Sequence, residues 1–216
     1  MNTVKIDFVS DVVCPWCAIG LSALEKAMAQ LAGEVAVELR FHPFELNPQM
    51  GPEGESIEEH LVAKYGMSPQ QLAESQEQIA QRGAALAFHF DMDKRDRIYN
   101  TFDAHRLLAW AQTLGNDHQL ALKKALLAAY FGQGQNPGDH SLLLALCGQV
   151  GLDQDQAKAV LNSDRYAEQV RQEESLFQQR GINAVPAVVL NDKYLISGGQ
   201  SVDYYAQALK QVAAEG

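Results

Sequence analysis

Apolar positions along the chain predict two kinds of structure in separate blocks. The apolar-rich run from Val4 to Ser10 predicts a strand. Val35-Ala36-Val37-Glu38-Leu39-Arg40-Phe41 alternates apolar and polar and predicts a second strand. Between them, Pro15 to about Leu31 carries a helical pattern that Gly33 ends. This β-α-β unit is right-handed if its strands are parallel. From about residue 52 to 180 the signals are almost wholly helical. Ser56 with Glu59 fits a capping box, and Ser68-Pro69-Gln70-Gln71 combines a cap, a first-turn proline and a third-position glutamine. Asp153-Gln154-Asp155-Gln156 opens a further helix, and Asp164 to Arg180 reads as a long helix ended by Gly181. Gly115 and Gly151 read as helix stops. The loops Gly51-Pro52-Glu53-Gly54 and Gly132-Gln133-Gly134-Gln135-Asn136-Pro137-Gly138 separate helical blocks.

Strand character returns near the end. Ala187-Val188-Val189-Leu190, the turn Asn191-Asp192 and Lys193-Tyr194-Leu195-Ile196-Ser197 predict a β-hairpin. Ser201 then caps a final amphipathic helix to about Val212. The expectation is an α/β domain formed by residues 1–51 and 165–216, interrupted by a helical insertion over residues 52–164.

Composition narrows the classes of function. The 216 residues are 47% hydrophobic, enough to build a globular core. With 27 acidic and 17 basic residues, the formal charge of −10 argues against nucleic acid or an anionic membrane as the main partner. It leaves room for a small anionic ligand held by a local arginine or lysine. No apolar run approaches the roughly 20 residues of a membrane span. Met1 to Asp7 lacks the basic and apolar regions of a secretory leader, so a cytoplasmic location is expected.

Only three cysteines are present, Cys14, Cys17 and Cys147, so this is no disulfide scaffold. Cys14-Pro15-Trp16-Cys17 lies between the first strand and the first helix. That placement reads as a thioredoxin-like redox site. Two intervening residues let the sulfurs close a small disulfide across one helical turn. The helix N-terminus offers unpaired N–H groups and a positive dipole end, which lower the pKa of Cys14. The rival is half of a zinc site. A structural zinc needs about four ligands. The six histidines are scattered, and Cys147 has no cysteine near it. No metal is therefore expected. Cys147 falls on an apolar helix face with Leu143 and Val150, as a buried structural thiol, with a regulatory thiol as the alternative.

Val185-Pro186 precedes the hairpin's first strand, where proline is tolerated. Given the upstream cysteine pair, a cis bond is expected here. It would turn the Val185 backbone outward to pair with an extended substrate. Trp16 is expected to be partly exposed as a substrate-facing surface, with a packed ring as the alternative. Asp11 is a candidate acid/base for the buried Cys17, or equally a cap on the helix. His105 and Arg106 are candidates for the groove, against a solvated or locally bonded pair.

Several segments together resemble the DsbA-type thioredoxin superfamily, and more closely its FrnE-like cytoplasmic subgroup. They are Asp11-Val12-Val13-Cys14-Pro15-Trp16-Cys17, Phe44-Glu45-Leu46-Asn47-Pro48, Asn100-Thr101-Phe102-Asp103-Ala104-His105-Arg106, Ala129-Tyr130-Phe131, Val185-Pro186 and Ile196-Ser197-Gly198-Gly199-Gln200. They cover nearly the whole chain in order. The resemblance implies an α/β thioredoxin-like fold with a large all-helical insertion domain. It implies Cys14 as nucleophile, Cys17 as resolving thiol and Pro186 as the cis-proline facing them, with Trp16 and Val185 toward substrate. No tightly bound cofactor is implied beyond the redox-active Cys14–Cys17 disulfide. Protein thiols and disulfides or a small thiol are the partners, with glutathione as a candidate co-substrate. Ala187 departs from the Thr or Phe often found there, which alters the groove but not the redox pair. Related kappa-class glutathione transferases and hydroxychromene-carboxylate isomerases typically have serine at the position of Cys14, so cysteine favours redox work. A glutathione-dependent isomerase or transferase, and a non-enzymatic thiol sensor, are the alternatives.

Overall fold

In the computed structural model, which describes residues 3–215, the β-α-β start is formed by β1 (Thr3–Ser10), α1 (Pro15–Gln30) and β2 (Ala36–Pro43). Met1, Asn2 and Gly216, which the expected domain division includes, lie outside the described residues. After β2 come β3 (Glu55–Ser56), α2 (Ile57–Tyr65), α3 (Pro69–Ala85) and β4 (Arg97–Ile98). Five helices follow: α4 (Phe102–Leu114), α5 (Asn116–Gln133), α6 (His140–Gln149), α7 (Gln154–Leu161) and α8 (Ala167–Gln179). The chain ends with β5 (Ala187–Leu190), β6 (Tyr194–Ser197) and α9 (Val202–Glu215).

The main sheet has the order β2-β1-β5-β6. β1 runs parallel to β2, and β5 pairs antiparallel with both β1 and β6. β1 is therefore central, and most of its residues are buried. A strand covered on both faces loses the clean alternation of a half-exposed one. The register sets Phe8 against Phe41 on one side and Val188 on the other. One continuous apolar cluster runs from Val4, Ile6 and Phe8 of the sheet through Leu21 and Leu24 of α1 to Leu107, Leu126 and Tyr130 of the helical block. Among the described residues no helix is long and apolar enough to cross a membrane.

The caps lie where the serines predict them. Ser68 and Gln71 form a reciprocal capping box, and Ser56 and Ser201 accept from Glu59 N–H and Tyr204 N–H. Two expectations need correction. The block between the sheet halves is not wholly helical, because β3 and β4 form a short antiparallel ladder. Two-residue strands are too short to show a period. This ladder is held by the Arg97 guanidinium donating to the carbonyls of Glu53 and Gly54. The long helix expected from Asp164 starts instead at Ala167. Tyr166 is left-handed at φ 64°, and the turn before it is tied down by Arg106, which donates to the carbonyls of Val160, Ser163 and Arg165.

α8 is fastened to the sheet by charge. The His42 imidazole of β2 lies 2.8 Å from an Asp7 oxygen and 2.9 Å from a Glu173 oxygen. Burial alone would lower the His42 pKa, but the two carboxylates hold it above its ordinary value. A raised histidine pKa contributes stability that is complete below the unfolded value of about 6.5 and fades as pH rises through the folded value. Replacing His42 with Gln should therefore lower the urea midpoint more at about pH 6 than at about pH 9. An equal loss at both would show that charge does not hold this joint.

Candidate active site

β1 delivers the chain to the N-terminus of α1 through Asp11, Val12 and Val13, all buried. Cys14 is the N-cap, in extended conformation, and no side chain caps the helix. Pro15 occupies the first turn, where its missing N–H costs nothing. The Cys14 carbonyl accepts from the N–H groups of Cys17 and Ala18 at 3.1 and 3.3 Å. Both thiols are free, with Cys14 4% exposed and Cys17 fully buried.

The two sulfurs are driven apart in acidity. The Cys17 thiol donates to Cys14 and lowers its pKa. Burial opposes this, the backbone N–H groups of Cys17 and Trp16 assist it, and the Asp11 charge works against it. The net direction is downward. Cys17 is pushed well above the ordinary thiol value by burial, and then by the hydrogen bond and charge of Cys14. A lowered thiol attacks and a raised thiol waits in the protonated form.

The opposite wall comes from the end of the chain. The Val185–Pro186 bond is cis, and the Cys14 thiol donates to the Val185 carbonyl at 3.7 Å. Gly198 N–H donates to the Pro186 carbonyl at 2.8 Å, tying this loop to the end of β6. α1 packs closely against it where two glycines leave side chains out. A Cβ on Gly20 would sit 3.2 Å from Pro186 Cγ, and one on Gly199 would sit 3.1 Å from the Trp16 carbonyl oxygen. Trp16 is half-buried, and the exposed Arg82 of α3 places its guanidinium 5.1 Å from the indole centroid.

Beneath the pair lies a buried polar cluster. Asp11 does not cap α1. Its carboxylate accepts from Leu46 N–H at 2.8 Å and lies 3.3 Å from His105 Nε2. Burial raises its pKa, but His105, the Leu46 N–H and Lys123 overcome this and hold it below the ordinary carboxylate value. His105 and Arg106 are not a solvated pair either. Both are buried, and Arg106 turns away to Asp103 and the α7–α8 turn. So of the two groove candidates only His105 approaches the cysteine pair, and it does so from below. Cys147 is buried in the apolar cluster, with its pKa raised to about 11 by burial.

Sequence reading missed three charged residues here. Lys123 of α5 is 1% exposed, its ammonium makes no hydrogen bond to any described residue, and burial lowers its pKa against the pull of Cys17, Asp11 and Cys14. Its spacing from Leu126, Leu127 and Tyr130 placed it on an apolar helix face, a signal that could have found it. Glu45 is buried and paired with Arg171, inside a segment noted only for resemblance. Arg95 is 6% exposed but sits in the run Asp91-Met92-Asp93-Lys94-Arg95-Asp96-Arg97, which reads as a solvated loop.

A cavity of about 510 Å³ opens beside Cys14, between the Cys14–Cys17 turn, the Ala184–Val185 loop and the α2–α3 pair. Cys14, Trp16, Glu45, Tyr65, Arg95 and Val185 are among its lining. A larger cavity of about 630 Å³ lies against α1, with neither Cys14 nor Cys17 in its lining.

Comparison with known proteins places the chain in a family. Residues 5–210 match the family described as DSBA-like thioredoxin domain. The chain is 27% identical over 208 residues to the uncharacterized protein YwbO of Bacillus subtilis (strain 168), covering 96% of each. It superimposes on a probable DsbA oxidoreductase from Streptomyces coelicolor with a TM-score of 0.88, at 33% identity, over 99% of this chain and 91% of that one. It also shares its fold with the cytosolic disulfide reductase DsbM from Pseudomonas aeruginosa, determined with GSH. There the TM-score is 0.61 and the identity 18%, over 98% of this chain and 96% of that one.

Because the Cys17 thiol is the largest influence lowering Cys14, Cys17→Ala should move the Cys14 thiolate transition, followed at 240 nm, to higher pH. Cys17→Ser, which keeps a donor, should recover part of the shift. A transition that stays in place in Cys17→Ala would show that the helix N-terminus alone sets it.

Proposed function

The chain belongs to the DsbA-like thioredoxin-domain family, and from that premise we propose that it is a thiol–disulfide oxidoreductase acting through Cys14 and Cys17. The observation that carries this reading is the opposed acidity of two adjacent, buried thiols at a helix N-terminus, facing Val185 and Pro186. The Cys14 thiolate attacks one sulfur of a substrate disulfide. A mixed disulfide forms and the first substrate thiolate leaves. Cys17 then loses its proton and attacks Cys14, releasing the second thiolate and leaving the Cys14–Cys17 disulfide. Two electrons pass from the cysteine pair to the substrate, and the reverse sequence oxidises a dithiol. Asp11, ionised at rest, takes the Cys17 proton only transiently, since its pKa is held low. Val185 and Pro186 orient the incoming chain, and Trp16 offers an apolar surface beside the attacking sulfur.

The proposed setting is the cytoplasm, with thiols and disulfides as partners rather than nucleic acid or membrane. A glutathione pool at roughly −220 to −320 mV would hold a strongly oxidising pair reduced, so the working direction there is reduction. The cytosolic disulfide reductase DsbM, which shares the fold, supports that direction. Glutathione fits as a co-substrate that returns electrons to the pair. The isomerase reading needs no second thiol. Cys17 set against Cys14 favours exchange chemistry over it, and over a sensor that never turns over.

Cys17→Ser should accumulate mixed disulfides with substrate, seen as mass adducts on Cys14 that reductant removes. Cys14→Ser should form none and should lose disulfide reduction to the uncatalysed rate. Full reductase turnover in Cys14→Ser would sink the proposal.

A further inference from the structure

The cavity beside Cys14 contains a charge that the redox mechanism does not use. Arg95 is 6% exposed, and its Nε donates to the Tyr130 hydroxyl at 3.2 Å. Its guanidinium carbon lies 5.4 Å from the Tyr130 ring centroid and 5.2 Å from that of Phe131. Its two terminal nitrogens make no hydrogen bond to any described residue, and no described carboxylate pairs with it. The nearest acids in sequence are occupied or turned out, Asp91 being paired with Lys94 and Asp93 and Asp96 being exposed. A buried charge without a partner is costly, and a guanidinium presents two parallel N–H donors matched to a carboxylate.

The other ionisable groups of the cavity make contacts inside the protein. Glu45 pairs with Arg171 through Oε1 while its Oε2 is buried without a described hydrogen bond, Lys64 donates to the Leu46 carbonyl and the Asn47 side chain, and His60 Nδ1 faces Glu55 while its Nε2 has no described partner. Arg95 is thus the uncommitted cation of a cavity that also exposes Cys14. A volume of about 510 Å³ suits a small molecule rather than a folded protein. The contrast with the chain's net charge of −10 sharpens the point, since the bulk of the surface repels anions.

We propose that this cavity selects small disulfides carrying a carboxylate, with Arg95 binding the carboxylate while Cys14 attacks the sulfur. The proposal rests on the redox reading and names its substrate class. The step balances as disulfide exchange: the Cys14 thiolate displaces one carboxylated thiolate, Cys17 displaces the other, and the two electrons of the pair end on the two released thiolates. Arg95 acts on binding alone and takes no part in electron transfer.

The test compares oxidation of the pre-reduced protein by 3,3′-dithiodipropionate, by its neutral bis-amide and by cationic cystamine, read as second-order rate constants. The carboxylated disulfide should react about tenfold to a hundredfold faster than the bis-amide, the range of a charged hydrogen bond, and cystamine should be slowest. In Arg95→Gln the ratio of acid to amide should fall toward one, and Arg95→Lys should restore part of it. Because the readout is a ratio within each variant, partial misfolding does not mimic it. A second readout separates this proposal from the redox reading. In Cys14→Ser, 3-(methylthio)propionate should bind in a calorimetric titration, and in Cys14→Ser/Arg95→Gln it should not. If no disulfide oxidises the protein but the thioether binds as described, the redox reading fails and the carboxylate site stands. A ratio near one in the native protein, a ratio unchanged by Arg95→Gln, or no thioether binding overturns the proposal and leaves Arg95 as a packed cation over Tyr130 and Phe131.

Discussion

The close docking of the first turn of α1 against the Pro186 loop is the constraint on which the rest of the site depends. The two thiols differ in acidity because Cys17 donates to Cys14 and is itself fully buried. The turn that holds them approaches the neighbouring backbone closely. Gly20 and Gly199 provide this approach, and the Cys14 sulfur is thereby brought to the Val185 carbonyl. The central position of β1 fixes the height of the turn, because β1 pairs with β2 on one side and β5 on the other. The residues before Cys14 and those after Pro186 are thus parts of one sheet, although about 170 positions separate them in sequence.

Placing that turn in a dry interior creates an electrostatic problem that the helical block resolves. Asp11 is buried below the cysteines and remains ionised only because positive or donating groups surround it. His105 comes from α4, Lys123 from α5, and the Leu46 N–H from the segment after β2. The helices therefore do more than cover a groove. They supply the charges that balance the floor of the site. Lys123 is the clearest case, since among the described residues its ammonium has no hydrogen-bond partner and is compensated by the charges of Asp11 and the two sulfurs and by the Phe41 ring 5.8 Å away. Each ionisation in the cluster therefore shifts the others, and loss of the Cys17 proton is eased by the cation beneath it.

What the sequence made legible follows from how local each signal is. Caps at Ser56, Ser68 and Ser201 depend on three or four residues and were readable. So was the hairpin of β5 and β6, where two strand-forming runs flank the turn signal Asn191-Asp192, although Leu190 pairs with Tyr194 and Lys193 therefore belongs to the turn rather than to β6. The cysteine motif was readable because its chemistry fixes the spacing. The ladder of β3 and β4 was not, because two residues carry no period and the pairing partner lies some forty positions away. The start of α8 was misread because Arg106, distant in sequence, bonds the carbonyls of the turn before it. Asp11 was divided between capping and acid/base roles because a carboxylate before a helix looks the same in both. Only the third dimension shows it turned away from the helix toward Leu46 and His105.

Arg95 and Arg106 show why charged residues are the hardest to place from sequence. Both sit close to acids in the chain, and both are buried. Arg106 uses four of its five N–H donors, on one carboxylate and three backbone carbonyls, so its burial is accounted for by structure. Arg95 has one phenolic partner, two aromatic faces and donors with no described partner in a cavity that Cys14 also lines. Burial of a cation is the same observation in both cases. The inventory of its partners decides whether it holds the fold together or leaves a place for something else. By that criterion the helical block contributes twice to the site, with Lys123 balancing charge below the sulfurs and Tyr130 and Phe131 holding Arg95 beside them.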